Sequence, residues 1–275
     1  MSTPLDLSRL CVHTITTKPW AIETAIEKYA AAGITGMTVW RDALDGRDPA
    51  AVRRKIADAG LTVVSLCRGG FFPSADAEAR RAAIADNKTA VDQAAAIGAP
   101  GIVLVCGADP RQTLDVSRRQ IVDGIAEVAP YAAENGVSLY VEPLHPMYAD
   151  TRSGIVTLAQ AIDVCDEISA PNVSIALDVY HVFWDPAVEA EIARCGESGY
   201  LSAFHVCDWR VPTRDFLNDR TVMGNGCIDV PGLRKHAEAA GFDGYIEVEI
   251  FSTEYWATEM DDYLARIIDA YTKNT

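Results

Sequence analysis

The feature that most constrains the fold of this chain is a repeated junction between a helix and a strand. An alanine-rich segment ends at a glycine, and an apolar or β-branched segment follows at once. Glycine readily adopts the left-handed conformation just past a helix end, so each junction predicts a helix followed by a strand. The five junctions are AAAGI at Gly33, ADAGL at Gly60, AAIGAPG at Gly98, AENGV at Gly136 and EAAGF at Gly241.

Two further junctions, at Pro171 and Gly199, complete a series of eight strand–helix units. Strict alternation predicts a parallel sheet with right-handed crossovers, and eight units in a chain of this length favour closure into a (β/α)8 TIM barrel. The sequence has no G-x-G-x-x-G fingerprint of an open dinucleotide-binding sheet and no linker. We therefore predict a single domain over residues 1–275. The predicted strands are 10–16, 36–41, 61–68, 101–107, 137–143, 173–180, 201–208 and 244–251.

The charge of the chain limits its partners. A formal net charge of −15 without any basic run argues against nucleic acid, because clustered lysine and arginine carry phosphate-backbone affinity. No apolar run reaches the roughly 18 residues of a membrane span, and residues 1–9 lack the features of a secretion signal. The seven cysteines are scattered, as is typical of packed thiols in a reducing compartment. We expect a cytoplasmic protein with a small-molecule partner.

Acidic and imidazole side chains collect where four consecutive predicted strands end. Glu142 ends VSLYVE, Asp178 ends VSIALD, and His205 lies in LSAFHVCD. The last strand, YIEVEIF, carries Glu247 and Glu249 on one face. The carboxyl ends of barrel strands share one rim, and three carboxylates with one imidazole suit a divalent cation. The pattern therefore predicts a metal site, with either glutamate of the last strand as a ligand.

Other polar and aromatic residues fall at the same predicted rim. His181 follows Asp178 by three residues, and His145 lies between two prolines after Glu142. We interpret His145 either as a proton-transfer group or as a loop anchor, and His13 as a residue at the edge of the core. The long connections CRGGFFPSADAEARR and DWRVPTRDFLNDRTVMGNGCID are candidate walls or lids. Aromatic candidates for a sugar-stacking wall are Trp40, Trp184, Trp209, Phe71 and Phe72.

The motifs VEP, ALDVYH, FHVCDWR, GNGCID and YIEVEIF, in this order, resemble the xylose isomerase-like TIM-barrel superfamily of sugar isomerases and epimerases. The motifs cover the last five strands, and the first three agree in architecture. The resemblance implies one divalent metal ion, with Mn²⁺ first and Mg²⁺, Co²⁺ or Zn²⁺ as alternatives. The implied metal ligands are Glu142, Asp178, His205 and Glu249.

The resemblance also implies roles in catalysis and substrate binding. Glu142 and Glu249 correspond to the pair that moves protons on opposite faces of the sugar, and His181 and Arg210 to residues that contact substrate oxygens. His145 is a further catalytic candidate. Arg210 lies one residue closer to its histidine than in ketose epimerases, and EPLHP replaces their usual continuation. The complete set of predicted substrate-binding residues is Arg210, His181, Trp40, Arg68 and Trp209.

These residues predict proton transfer next to a carbonyl. A chelated metal takes up the charge of the enediolate, and two carboxylates move the proton. We expect a metal-dependent isomerase or epimerase of a keto-sugar or related polyol, acting through a metal-stabilised enediolate. The alternative is a lyase that performs β-elimination on an oxidised sugar, such as a 3-keto-glycoside deglycosidase or an inosose dehydratase.

Two alternatives come from other classes of protein. The charge of −15 disfavours a DNA-repair endonuclease on the same scaffold. A non-catalytic sugar-binding subunit would keep the fold without turnover. A homo-oligomer, or association with a small second subunit, stays open.

Overall fold

Eight parallel strands close into a barrel in a computed structural model that describes residues 6–275. Each barrel strand pairs with the next one along the chain, and the last pairs with the first. The predicted (β/α)8 TIM barrel is confirmed. Residues 1–5, which belong to the predicted domain and to the segment interpreted as lacking a secretion signal, lie outside the described residues. The barrel strands are β1 (Leu10–His13), β2 (Gly36–Trp40), β3 (Thr62–Gly70), β4 (Gly101–Val105), β5 (Ser138–Glu142), β6 (Val173–Asp178), β7 (Leu201–Val206) and β10 (Ile246–Val248).

Helices pack around the barrel and bury its outer face. The glycines that close the alanine-rich segments have positive φ angles, for example 80° at Gly98 and 98° at Gly241, as the junctions predict. No helix among residues 6–275 combines the length and apolar character that crossing a membrane requires. The helices are α1 (Ile22–Ala31), α2 (Pro49–Asp58), α3 (Ala77–Ile97), α4 (Leu114–Glu134), α5 (Leu158–Ile168), α6 (Val179–Val182), α7 (Val188–Glu197), α8 (Val230–Ala239), α9 (Thr253–Trp256) and α10 (Met260–Asn274).

The element bounds differ from the predicted ones in two instructive places. Strand β3 extends to Gly70 because Gly69 and Gly70 pair with β4, and a Cβ atom at Gly70 would collide with the carbonyl of Val105. After the last strand the sequence predicts one helix over residues 254–271, and this prediction is wrong, since α9 ends at Trp256 before α10 begins. The indole N–H of Trp256 donates to the carbonyl oxygen of Ile15 at 3.0 Å, which ties α9 to the loop after β1.

One buried carboxylate organises the long loop after β7. This loop contains a two-stranded antiparallel ribbon, β8 (Asp208–Trp209) and β9 (Arg220–Thr221), that the aperiodic sequence does not predict. The side chain of Asp208 accepts backbone hydrogen bonds of 2.8 to 2.9 Å from Trp209, Gly224, Gly226 and Ile228. The Asp208 carboxylate therefore fixes both ends of the loop over the barrel rim. At the start of α8, where the sequence predicts that Asp229 caps the helix, the side chain of Asp229 accepts from the N–H of Gly232 at 3.0 Å and confirms this prediction.

The substitution Asp208→Ala leaves four backbone N–H groups without their acceptor. We expect the free energy of unfolding to fall by about 3 kcal/mol, because buried donors without partners are costly. Urea denaturation measures this change. Asp208→Asn keeps one acceptor oxygen, and as the matched control it is expected to lose less. An Asp208→Ala protein as stable as the unsubstituted chain contradicts the anchoring role.

Candidate metal centre and catalytic cavity

Four side chains able to bind a metal meet at the C-terminal rim of the barrel. Glu142 and Asp178 end β5 and β6, His205 lies in β7, and Glu249 follows β10. One ligand atom from each side chain lies within 4.8 Å of the ligand atoms of the other three. All four side chains are buried. The barrel thus brings together the four residues that the resemblance implies as metal ligands.

The chemistry of this cluster fits a divalent cation. Three carboxylates in a buried space repel one another, and a cation with oxygen and imidazole ligands relieves that repulsion. The Nδ1 atom of His205 lies 3.2 Å from Oε1 of Glu142, so this ring nitrogen is directed at a carboxylate of the cluster. The Nε2 atom lies 3.8 Å from the deeper Glu247. Glu142, Asp178, His205 and Glu249 would therefore hold the ion.

Glu247 lies one layer deeper in the barrel than Glu249. Its carboxylate accepts a hydrogen bond from the Thr38 hydroxyl at 2.6 Å and lies 3.1 Å from Nε2 of His13. The other ring nitrogen of His13, Nδ1, lies 3.0 Å from Glu249. Burial disfavours the charged ring, but hydrogen bonds to Cys67 and the two glutamates raise the pKa of His13 well above its ordinary value. His13, interpreted from the sequence as a core-edge residue, is thus a buried link between Glu247 and Glu249.

Arg220, on β9, is a residue of the site that sequence reasoning misses. Its Nη1 atom donates to Asp178 at 2.9 Å and to Glu249 at 3.0 Å. The guanidinium group lies 4.2 Å from the centre of the Tyr180 ring. The length of the loop after β7 signals a function. The loop sequence has no periodic pattern, so the sequence does not predict that Arg220 faces the site.

His181 and His145 are in contact beside the metal cluster. The backbone N–H of His145 donates to Nδ1 of His181 at 3.2 Å, and Nε2 of His181 lies 3.6 Å from Asp178. Burial, and then the charge of Arg220, lower the pKa of His181 well below its ordinary value. The His181 ring is therefore neutral at physiological pH, and it can contact a substrate oxygen without adding charge to the site.

A cavity lies next to the metal cluster, with an internal volume of about 20 Å³. The polar wall contains Glu142, Glu249, His181 and Arg220. The apolar wall contains Trp40, Val103, Val105, Leu144, Tyr148, Leu217 and Phe251. Two more arginines, Arg68 and Arg152, complete the charged lining.

Arg210 and Trp209, which we predicted to bind substrate, are not among the described residues that line this cavity. The Nε atom of Arg210 lies 2.9 Å from Asp219, and the Trp209 ring stacks on Tyr180 with a centroid distance of 4.7 Å. The chain turns into the β8–β9 ribbon after β7, so Arg210 is directed to the loop. Arg220 instead contacts the metal ligands.

The aromatic candidates also separate into different environments. Trp40 lines the cavity, as expected for a wall residue. Trp184 packs against the ring of His145, with a centroid distance of 5.8 Å. Phe72 is buried, whereas the Phe71 side chain is 38% exposed. Neither His145 nor Trp184 belongs to the cavity lining in residues 6–275, so His145 remains a predicted catalytic residue without a contact to this space.

Protons compete with a metal ion for the cluster. Burial raises the pKa of Asp178 to about 6, although the nearby Arg220 opposes this shift. Burial disfavours a charged His205, but the carboxylates of Glu247 and Glu142 outweigh it and raise the pKa of His205 to about 9. At neutral pH the metal-free cluster therefore carries a proton on the His205 ring that a metal has to displace.

The family of the chain follows from a comparison with family models. The model described as "xylose isomerase-like TIM barrel" matches residues 26–269. The chain belongs to the xylose isomerase-like TIM barrel family. The match includes every strand from β2 to β10 and all four residues of the metal cluster.

Two relatives are similar to this chain over about 200 residues. The inosose isomerase of Bacillus velezensis is 24% identical over 190 residues, which cover 68% of this chain and 66% of that enzyme. The match thus spans slightly less than two thirds of the length of that relative. The 3-dehydro-D-guloside 4-epimerase of Escherichia coli K12 is 26% identical over 211 residues, which cover 72% of this chain and 75% of that enzyme.

Solved structures show the same barrel. Protein SMc04130 of Sinorhizobium meliloti 1021 has a TM-score of 0.93 at 43% identity, covering 97% of this chain and 98% of that chain. The IolI protein, solved with a bound zinc atom, has a TM-score of 0.84 at 19% identity, covering 97% of this chain and 99% of that chain. At this lower identity the similarity to IolI shows the fold alone.

Metal affinity is expected to rise with pH between about pH 5.5 and pH 8. Asp178 loses its proton near its pKa of about 6, and His205 holds its proton up to about 9. Affinity should therefore fall as the pH is lowered, by up to about tenfold per pH unit for each proton displaced. Calorimetric titration with Mn²⁺ in buffers of different ionisation enthalpy measures both affinity and proton release. An affinity independent of pH, without proton release, contradicts this prediction.

The two glutamates of the last strand should differ in their effect on metal binding. Glu249→Gln removes a ligand charge, and we expect metal affinity to fall by more than about 100-fold. Glu247→Gln changes a residue that contacts the metal ligand Glu249 through His13, and for such residues a loss of metal affinity of about 10- to 100-fold is typical. The same titration compares the two variants. A larger loss of metal affinity in Glu247→Gln than in Glu249→Gln would contradict this prediction and identify Glu247 as the metal ligand.

Proposed function

We propose that this chain is a divalent-metal-dependent isomerase or epimerase that acts on a keto-sugar or a related polyol. One observation carries the proposal: Glu142 and Glu249 belong to the metal cluster and also line the cavity beside it. Carboxylates in this position can take a proton from the carbon next to a carbonyl group and return it elsewhere. This is the proton transfer that isomerases and epimerases of sugars share.

The residues of the cavity have separate roles in the proposed reaction. A bound divalent cation supplies a Lewis acid that withdraws charge from the carbonyl and hydroxyl oxygens of the substrate. Glu142 and Glu249 exchange the proton, while the neutral ring of His181 orients a substrate oxygen. The apolar side chains of Trp40 and Phe251 exclude water from the reacting carbons.

The relatives support this class of reaction, since one is an isomerase and the other an epimerase. They do not favour the lyase alternative. Three carboxylates against one imidazole make Mn²⁺ our first choice of metal, because oxygen-rich sites suit this ion. The zinc atom of the IolI structure supports a divalent ion in this fold. Association with another copy or with a small second subunit stays a prediction.

Deuterium exchange tests the proposed reaction. The metal-loaded protein is incubated in D₂O with a panel of keto-sugars and inososes, and NMR follows both the label and the products. We expect exchange at a carbon next to the carbonyl and conversion to an isomer or epimer. An unsaturated product formed by loss of water would establish the lyase instead. No exchange with any member of the panel would contradict the proposal.

Glu142→Gln is expected to lower the exchange rate at least about 100-fold, because it removes a proton-transferring group and a metal ligand. Glu134→Gln is the matched control, since Glu134 is exposed at the end of α4. The control should retain the rate of the unsubstituted protein. Full exchange activity in Glu142→Gln favours a non-catalytic role for the metal cluster.

A further inference from the structure

Two arginines in the cavity wall, Arg68 and Arg152, lack an acidic partner. Within residues 6–275, neither guanidinium group forms an ion pair or a hydrogen bond. Each contacts an aromatic ring instead: Arg68 lies 4.4 Å from the centre of the Phe71 ring, and Arg152 lies 5.6 Å from that of Tyr148. Both side chains are partly buried. Their N–H donors are therefore free to bind a molecule in the cavity.

This situation differs from that of the other arginines of the protein. Arg220, in the same wall, donates to the carboxylates of two metal ligands. Arg53 and Arg54, which also lack acidic partners in the part of the chain that the structure describes, are exposed to water. A charge that is partly withdrawn from water without a partner is unfavourable, and an anionic ligand relieves this cost. Burial and the like charge of Arg152 both lower the pKa of Arg68, which indicates that the two groups lie close enough to repel.

Both arginines lie on the side of the barrel mouth away from His205. Arg68 belongs to β3, which stands opposite β7 in the ring of eight strands. Arg152 follows β5 in sequence, but its carbonyl oxygen accepts the N–H of Gly107 at 2.8 Å, which holds it beside the end of β4. A substrate whose reacting carbons lie at the metal cluster would extend its other end toward Arg68 and Arg152.

We propose that the substrate carries an anionic group, a carboxylate or a phosphate, and that Arg68 and Arg152 bind this group. The proposal rests on the proposed function, which places the reacting carbons at the metal cluster. The N–H groups of a guanidinium match the oxygen spacing of both anions, and such charge-assisted bonds are about twice as strong as neutral ones. The substrate class is then an acidic or phosphorylated keto-sugar or polyol.

The overall charge of the protein makes this local pair necessary for such a substrate. A chain with a net charge of −15 repels anions at long range, and the adjoining metal cluster contains three carboxylates. Two cationic side chains without acidic partners give part of the cavity lining a positive charge. They also fix the direction in which an anionic substrate enters, because the reversed orientation would place its anion beside the glutamates.

Three ligands that differ in one substituent test the proposal: D-fructose, D-fructuronate and D-fructose 6-phosphate. Their binding to the metal-loaded protein is measured by calorimetric titration. We expect at least one of the two anionic ligands to bind at least about tenfold more tightly than D-fructose. The ligand that gains affinity distinguishes a carboxylate site from a phosphate site. If neither anionic ligand binds more tightly than D-fructose, the proposal is overturned.

Substitution of the arginines gives a second test of the proposal, by the same calorimetric titration. The double variant Arg68→Gln with Arg152→Gln should abolish the preference, measured as the ratio of the affinity for the anionic ligand to the affinity for D-fructose. Arg54→Gln removes the same charge from the exposed face of α2, and it should keep the preference. If the double variant does not fold, the same titration is made with the single variant Arg152→Gln, because Arg152 lies on a loop and its substitution disturbs the barrel less. A preference that survives removal of the arginines overturns the proposal.

The two proposals fail in distinguishable ways. Charge-dependent binding without deuterium exchange in any keto-sugar supports the anion subsite and removes the proposed function. Exchange in neutral keto-sugars without any preference for an anionic ligand supports the proposed function and removes the subsite.

Discussion

The mutual repulsion of three buried carboxylates is the constraint on which the rest of the site depends. Glu142, Asp178 and Glu249 are withdrawn from water at one rim of the barrel, within reach of a common ion. Such a cluster is stable only where positive charge surrounds it. His13 reaches Glu249 from below, and Arg220 reaches both Asp178 and Glu249 from the loop above. The Nδ1 atom of His205 lies 3.2 Å from Glu142, so an imidazole nitrogen meets the carboxylates at the place where a cation would bind.

This requirement explains why an apparently irregular loop has a fixed structure. The ribbon after β7 brings Arg220 over the barrel mouth, and the four backbone hydrogen bonds to Asp208 hold the ribbon in place. An arginine on a freely moving loop would lose conformational entropy each time it paired with the cluster. A loop already held by a buried carboxylate avoids most of that loss. The fold thus holds the guanidinium group of Arg220 beside the carboxylates before any ligand binds.

The cavity beside the cluster is electrically asymmetric. Its lining includes the acidic metal ligands Glu142 and Glu249, and also Arg68 and Arg152, which have no acidic partners among residues 6–275. Because electrostatic interactions strengthen when water is excluded, charges of both signs in one lining orient a polar ligand more firmly than charges of one sign.

The order of strands and helices, and the metal cluster at their ends, could be predicted from sequence, because periodicity, glycine junctions and strand-end positions are local properties of a chain. The choice between Glu247 and Glu249 could not, since both project from one face of a strand and differ only in depth within the barrel. Arg220 was also beyond prediction, because its position depends on a ribbon folded by distant contacts. Tertiary structure alone decided which charges are paired: a guanidinium without a carboxylate neighbour, such as that of Arg68, is defined by what the surrounding strands bring near it, and no property of its own segment determines that.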